Sequence, residues 1–170
     1  MTFIVCPLRY LPQVIAERAP SHLITLLSPD DMIDTPQGIE PRRHLRLAVH
    51  DIPFPQPRLV APDAATVEQI LEFGRGWDAS QPMAVHCLAG ISRSTAAAFV
   101  LACERNPHAD EYQIAMMIRR ASPAAFPNRR IVALADDILG RDGRLLDAVE
   151  AMGGTNFISE SEPFDLPSRH

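Results

Sequence analysis

Two short apolar runs, TFIVC at 2–6 and HLITLL at 22–27, are rich in β-branched and leucine residues and close on Pro7 and on Ser28-Pro29-Asp30, the pattern of buried strands. Between them Leu11, Val14, Ile15 and Arg18 recur at helical spacing, and Pro12 falls in the first turn, where its missing N–H costs nothing. A strand, a helix and a strand in that order imply parallel strands, since parallel neighbours need a crossover of this kind. LRLAV at 45–49 predicts a third strand, after a loop punctuated by Pro36, Gly38 and Pro41.

Proline then dominates residues 53–62, and the pattern turns helical from Ala64 to Trp77: Val67, Ile70, Leu71 and Trp77 share one face, with Asp63 placed to cap the N-terminus. MAVH at 83–86 is a brief apolar strand, followed by a glycine-containing turn and by STAAAFVLAC, a helix apolar nearly all round and hence buried. Ile114, Met117, Ile118 and Ala121 mark a further amphipathic helix. Ile131, Leu134, Ala135, Ile138 and Leu139 mark another, and Leu145, Leu146, Val149 and Met152 a short last one. The expected architecture is α/β, a central and mostly parallel sheet of four or five strands flanked by helices, in a single domain over residues 1–152. The stretch GGTNFISESEPFDLPSRH at 153–170 has no period and reads as a flexible C-terminal tail or a surface strap.

Composition narrows the function classes. A chain of 170 residues, 46% hydrophobic and 22% charged, suits one globular core, and a net charge of −5 opposes general affinity for nucleic acid. Every one of the 16 basic residues is arginine, so arginine must do any anion binding. The N-terminal apolar run is too short for a signal peptide, and no stretch approaches the roughly 18 apolar residues of a membrane span; a cytoplasmic protein with no membrane partner is expected. Cys6, Cys87 and Cys103 form no disulfide framework, and neither they nor the six histidines show metal-ligand spacing. No metal and no cofactor are expected.

Chemistry concentrates in VHCLAGISRST at 85–95, where a cysteine and an arginine stand six positions apart between a strand and a helix. A loop closing from a strand onto a helix N-terminus points successive amides at one spot, aligned with the helix dipole, which makes an anion nest. Gly90 supplies backbone freedom, and Arg93 at the helix start offers a planar fork for two phosphate oxygens. Cys87, at the beginning of the loop, sits in the field of those amides and of the guanidinium, a setting that favours the thiolate. Cys6 and Cys103 lie among apolar neighbours and read as inert core.

His86, Cys87, Gly90, Arg93 and Ser94 match every fixed position of H-C-x-x-G-x-x-R-S/T, and the segment thereby resembles the protein tyrosine phosphatase superfamily, closest to its small dual-specificity-like bacterial members. The resemblance implies that Cys87 attacks phosphorus to form a phosphocysteine. The amides of Leu88, Ala89, Gly90, Ile91 and Ser92, together with Arg93, would hold the equatorial oxygens. Ser94 would stabilise the departing thiolate, and His86 would tune the loop. Low-molecular-weight relatives carry this loop near the N-terminus and rhodanese-like proteins lack the pattern, so both are disfavoured. Inositide phosphatases often place basic residues at the variable positions; here Leu88, Ala89, Ile91 and Ser92 favour a singly phosphorylated, partly apolar substrate. The expected partner is a phosphorylated protein or peptide.

A phosphatase also needs a carboxyl group to protonate the leaving oxygen. Asp51 opens the proline-rich loop after the third strand, where dual-specificity relatives hold their acid, whereas Asp63 reads as a helix cap and Asp78 follows a helix end. Asn128, after Pro127 at a helix start, resembles the family's water-positioning segment and equally reads as a plain N-cap. The alternative to an enzyme is a phosphate-binding pseudophosphatase that recognises a phosphorylated partner without turnover.

Overall fold

The computed structural model describes residues 1–155 and 159–170. Five strands form one sheet in the order β3-β2-β4-β1-β5: β1 (Thr2–Pro7), β2 (His22–Leu27), β3 (His44–Ala48), β4 (Met83–Cys87) and β5 (Phe164–Pro167). β1, β2, β3 and β4 are mutually parallel, and β5 runs antiparallel beside β1. The helices are α1 (Leu11–Arg18), α2 (Ala64–Arg75), α3 (Arg93–Arg105), α4 (Glu111–Ala121), α5 (Arg129–Leu139) and α6 (Arg144–Ala151).

The topology fixes which face each helix covers. The crossover from β1 to β2 passes β4 in one direction, and the crossover from β3 to β4 passes β2 in the other. Right-handed connections therefore place α1 and α2 on opposite faces. Period-two alternation along the strands sorts the side chains to match. Ile4, Cys6, Leu23 and Ala84 pack with Leu11 and Val14 of α1. Phe3, Val5, Ile24 and Val85 pack with Val67, Ile70 and Leu71 of α2 and with α3, α4, α5 and α6 in the larger core. α3 is buried from Arg93 to Cys103, and its alanines at 96, 97, 98 and 102 let it lie close under the sheet.

Of the two readings of 153–170, the residues described after 158 correct the flexible tail and fit the strap. Phe164 and Leu166 are buried while Asp165 and Pro167 face out, so a four-residue alternation closes the open edge of β1. Proline on both sides and the strand's shortness hid it in the sequence, and an edge position tolerates them because one side of the strand has no ladder to complete. The Thr2 hydroxyl donates to the Leu166 carbonyl at 2.9 Å, and Ser168 N–H to the Met1 carbonyl at 2.9 Å. Residues 156–158 of that stretch lie outside the described residues. Among the described residues no helix is long and apolar enough to cross a membrane.

Candidate active site

β4 delivers Cys87 at its C-terminal end, and α3 starts at Arg93, so the signature loop closes at the carboxyl edge of the parallel strands, where open α/β sheets bind ligands. The conformation of the loop follows from where its carbonyls go. Leu88 O accepts from Leu8 N–H at 3.2 Å, Ala89 O from Ser161 N–H at 3.0 Å, and Gly90 O from the Ser161 hydroxyl at 3.0 Å. Ile91 O accepts from Phe126 N–H at 2.8 Å and from the Thr95 hydroxyl at 2.6 Å; Ser92 O accepts from Asn128 N–H at 3.1 Å and Ala96 N–H at 3.0 Å. A planar trans peptide points its N–H opposite to its C=O. Five carbonyls turned outward therefore leave the amides of residues 89–93 turned inward, and none of residues 88–92 donates its N–H to another described residue. The turn requires glycine at 90: φ is +69°, and a Cβ there would lie 2.5 Å from Ser161 Oγ and 2.7 Å from Pro7 N.

Two buried side chains, Cys87 and Arg93, stand at the two ends of the loop. Cys87 is 2% exposed, with Sγ 3.1 Å from Ser94 Oγ. Arg93 is 5% exposed; its Nη1 donates to Val49 O at 2.7 Å, while Nε is buried without a partner among the described residues. One bond thus orients the guanidinium, and a donor that no described residue pairs is available to an anion.

Asp51 reaches this loop from the other side. Its Oδ1 accepts from the Ser92 hydroxyl at 2.7 Å and from Asn128 Nδ2 at 2.8 Å, so the other carboxyl oxygen, Oδ2, accepts no bond from a described residue. Asn128 is the N-cap that one reading of its position expected, and it also reaches Asp51. Its Oδ1 caps α5 by accepting from Arg130 N–H and Ile131 N–H, each at 3.1 Å, and its amide nitrogen is thereby left to hold Asp51. The two other aspartates are occupied. Asp63 accepts from the Thr66 hydroxyl and N–H in a capping box, which hold its carboxyl below the usual range. Asp78 is likewise lowered by Ser80 N–H and hydroxyl donors. The loop that begins at Asp51 is clasped at its neck, where His50 N–H donates to Val60 O at 2.7 Å and Val60 N–H to His50 Nδ1 at 2.9 Å.

His86 lies on the α1 side of the sheet, wholly buried, in a polar chain that the sequence reading missed. Thr25 Oγ1 sits 2.7 Å from His86 Nε2 and 2.7 Å from His44 Nε2, and His44 Nδ1 lies 2.9 Å from Thr35 Oγ1. Burial pushes both imidazoles down to about 4, so both rings are neutral at pH 7. A hydroxyl has one proton and two lone pairs, so Thr25 Oγ1 donates to at most one of the two ring nitrogens, and at least one Nε2 carries the proton of its own bond. The one polar residue inside HLITLL was the signal for Thr25. Burial raises Cys6 to about 12, with the neighbouring Cys87 charge adding to it, and raises Cys103 further still. Among the described residues no cluster of three His, Cys, Asp or Glu side chains could hold a metal ion.

No protein-family model matches the chain, and no curated protein matches its sequence. Solved structures do match its fold. Human DUSP28 superimposes with a TM-score of 0.61 at 20% identity, over 82% of this chain and 92% of that one. The human tyrosine phosphatase-like serine/threonine/tyrosine-interacting protein gives 0.58 at 19% identity, over 81% and 87%. The phosphatase Tk-PTP in its active form gives 0.54 at 22% identity, over 82% and 90%. The chain has the fold of the dual-specificity and tyrosine phosphatases, with the signature loop between a parallel strand and a buried helix.

Proposed function

We propose that this protein is a cysteine-dependent phosphatase that hydrolyses phosphate monoesters, phosphotyrosine in proteins or peptides foremost and phosphoserine or phosphothreonine besides. The observation that carries this reading is the loop from Cys87 to Arg93: every carbonyl of residues 88–92 is anchored outward, while a buried thiol and a guanidinium whose Nε meets no described residue stand at its two ends. Fixed donors around a point where phosphoryl charge develops are what phosphoryl transfer needs, since the reaction asks for positioning and charge stabilisation.

In this mechanism Cys87 Sγ attacks phosphorus in line and the ester P–O bond breaks. Asp51 gives the departing oxygen its proton, and a phosphocysteine remains. Water then attacks phosphorus as Asp51 takes back a proton, the S–P bond breaks, and phosphate leaves. Ser94 Oγ, 3.1 Å from Sγ, donates to the sulfur as it departs and lowers the cost of its negative charge. Asn128 and Ser92 orient the acid through Oδ1, which leaves Oδ2 to carry the proton. The unpaired thiols support a reducing, cytoplasmic setting.

A second reading keeps the loop and drops the turnover: a pseudophosphatase that captures a phosphorylated partner, a use suggested by the interacting protein among the structural neighbours. A time course with a chromogenic aryl phosphate separates the two. The enzyme releases phenol without added metal, and Cys87→Ser stops release while still binding tungstate. A wild-type protein that binds tungstate and releases no phenol is the pseudophosphatase.

A further inference from the structure

We propose that Ser161 is a positioning residue of the phosphate loop, which holds the Ala89 and Gly90 carbonyls out of the anion site. The proposal rests on the reading of residues 87–93 as the oxyanion cradle. Ser161 is 5% exposed and uses both its donors on successive loop carbonyls, N–H to Ala89 O and Oγ to Gly90 O, each at 3.0 Å. The other loop carbonyls are held by Leu8, Phe126, Thr95, Asn128 and Ala96; these two have no other donor among the described residues.

They are also the two most in need of one. The peptide planes on either side of Gly90 adjoin the residue with the widest choice of φ and ψ, so they turn over at the least cost. A plane turned over would replace an inward N–H by an inward carbonyl oxygen, a donor by an acceptor, at the position of a phosphate oxygen. The space that a Cβ at residue 90 would fill is taken by Ser161 Oγ, 2.5 Å from where that carbon would stand.

The segment that carries Ser161 is fixed independently of the loop. Glu160 pairs with Arg9 at 3.1 Å, Glu162 accepts from the Tyr10 hydroxyl at 3.0 Å, and β5 then pairs with β1. Arg9 and Tyr10 follow directly on Leu8, whose N–H holds Leu88. The C-terminal segment therefore works as part of the active-site scaffold, although it lies 71 positions from Gly90 in sequence.

The test measures tungstate affinity by calorimetry and kcat/KM on an aryl phosphate for full-length wild type, Ser161→Ala and Ser161→Thr, at a temperature where circular dichroism shows all three folded. Ser161→Ala should weaken tungstate roughly 5- to 10-fold and lower kcat/KM by a similar factor, the size of one neutral hydrogen bond. Ser161→Thr, which keeps both donors, should stay within about twofold of wild type. Tungstate affinity in Ser161→Ala within twofold of wild type overturns the proposal, as does a Thr variant impaired as much as the Ala variant. A wild-type protein without turnover defeats the phosphatase reading alone; the tungstate series then still decides the role of Ser161.

Discussion

Two loops meet at the hydrogen bond between Asp51 and Ser92, and they are built differently. The loop from Cys87 to Arg93 buries Cys87, Gly90 and Arg93, leaves Leu88 exposed, and has its carbonyls tied from outside by donors on four separate segments, residues 8, 95–96, 126–128 and 161. The loop from Asp51 to Val60 is clasped at its neck by His50 and Val60, while Pro53, Phe54 and Leu59 on its body stand exposed. Under the proposed mechanism the difference matches two chemical tasks. Transition-state charge on a phosphoryl group is stabilised by dipoles already in place, so the cradle must be rigid before substrate arrives. A proton donor serves leaving groups of different shape, and needs only its carboxyl group to be oriented.

The contrast breaks most severely at the cradle. Cys87→Ser should lower turnover at least about 10³-fold, because an alcohol offers no comparable nucleophile at neutral pH. Arg93→Lys should cost at least about 10²-fold in kcat/KM, since an ammonium cannot keep one bond to Val49 O and still grip two oxygens in a plane. A loss below tenfold places Arg93 away from the reacting oxygens. Steady-state kinetics with a single aryl phosphate read both variants.

At the acid loop the expected effect depends on the leaving group. Asp51→Asn keeps the acceptor that Ser92 and Asn128 hold and removes the proton. Esters of poor leaving groups should slow about 10²-fold, whereas a phenolate of low pKa leaves unaided and should slow only a few-fold. Comparable loss on both substrates reassigns Asp51 to a structural role, and a leaving-group dependence found in Asp63→Asn instead moves the proton donor to residue 63.

The two loops also differ in how far the sequence revealed them. The cradle was legible because its chemistry demands fixed residue types at fixed spacing, and Cys87, Gly90, Arg93 and Ser94 are consecutive enough to read as one unit. Strands and helices were legible for the same local reason, through the two periods of burial, down to the buried helix from Arg93. Asp51 could be placed by its position after a strand, yet its partners could not, since Ser92 and Asn128 lie 41 and 77 residues away. Ser161 and the edge strand after it were illegible. A lone serine between two glutamates carries no period, and what gives it a purpose is a pair of carbonyls that only the closed fold presents. The Thr25 chain falls between these cases: a hydroxyl in an apolar strand signals a buried bond, without naming the two histidines that share it.

That chain touches no reacting group, and it bears on stability beneath the cradle. His86 and His44 titrate near 4 in the folded protein because burial disfavours the charged ring, against an ordinary value of 6.5. Above pH 6.5 both states are neutral and nothing is lost; as pH falls from 6.5 toward 4, the unfolded chain binds protons that the folded chain refuses, and stability drops across that window. At about 1.4 kcal/mol per pKa unit the cost through His86 approaches 3 kcal/mol by pH 4. His22 and His170, also lowered by burial, act in the same direction, so the wild-type slope is a sum. Asp63, Asp78 and Glu40, lowered by their donors, lose their contribution only below the ordinary carboxylate range, which leaves pH 6.5 to 5 to the histidines. Urea unfolding at half-unit steps over that range reads the slope directly. It should be shallower in a protein carrying His44→Gln and His86→Asn, whose side chains have nothing to titrate, and an unchanged slope assigns the loss to His22 and His170.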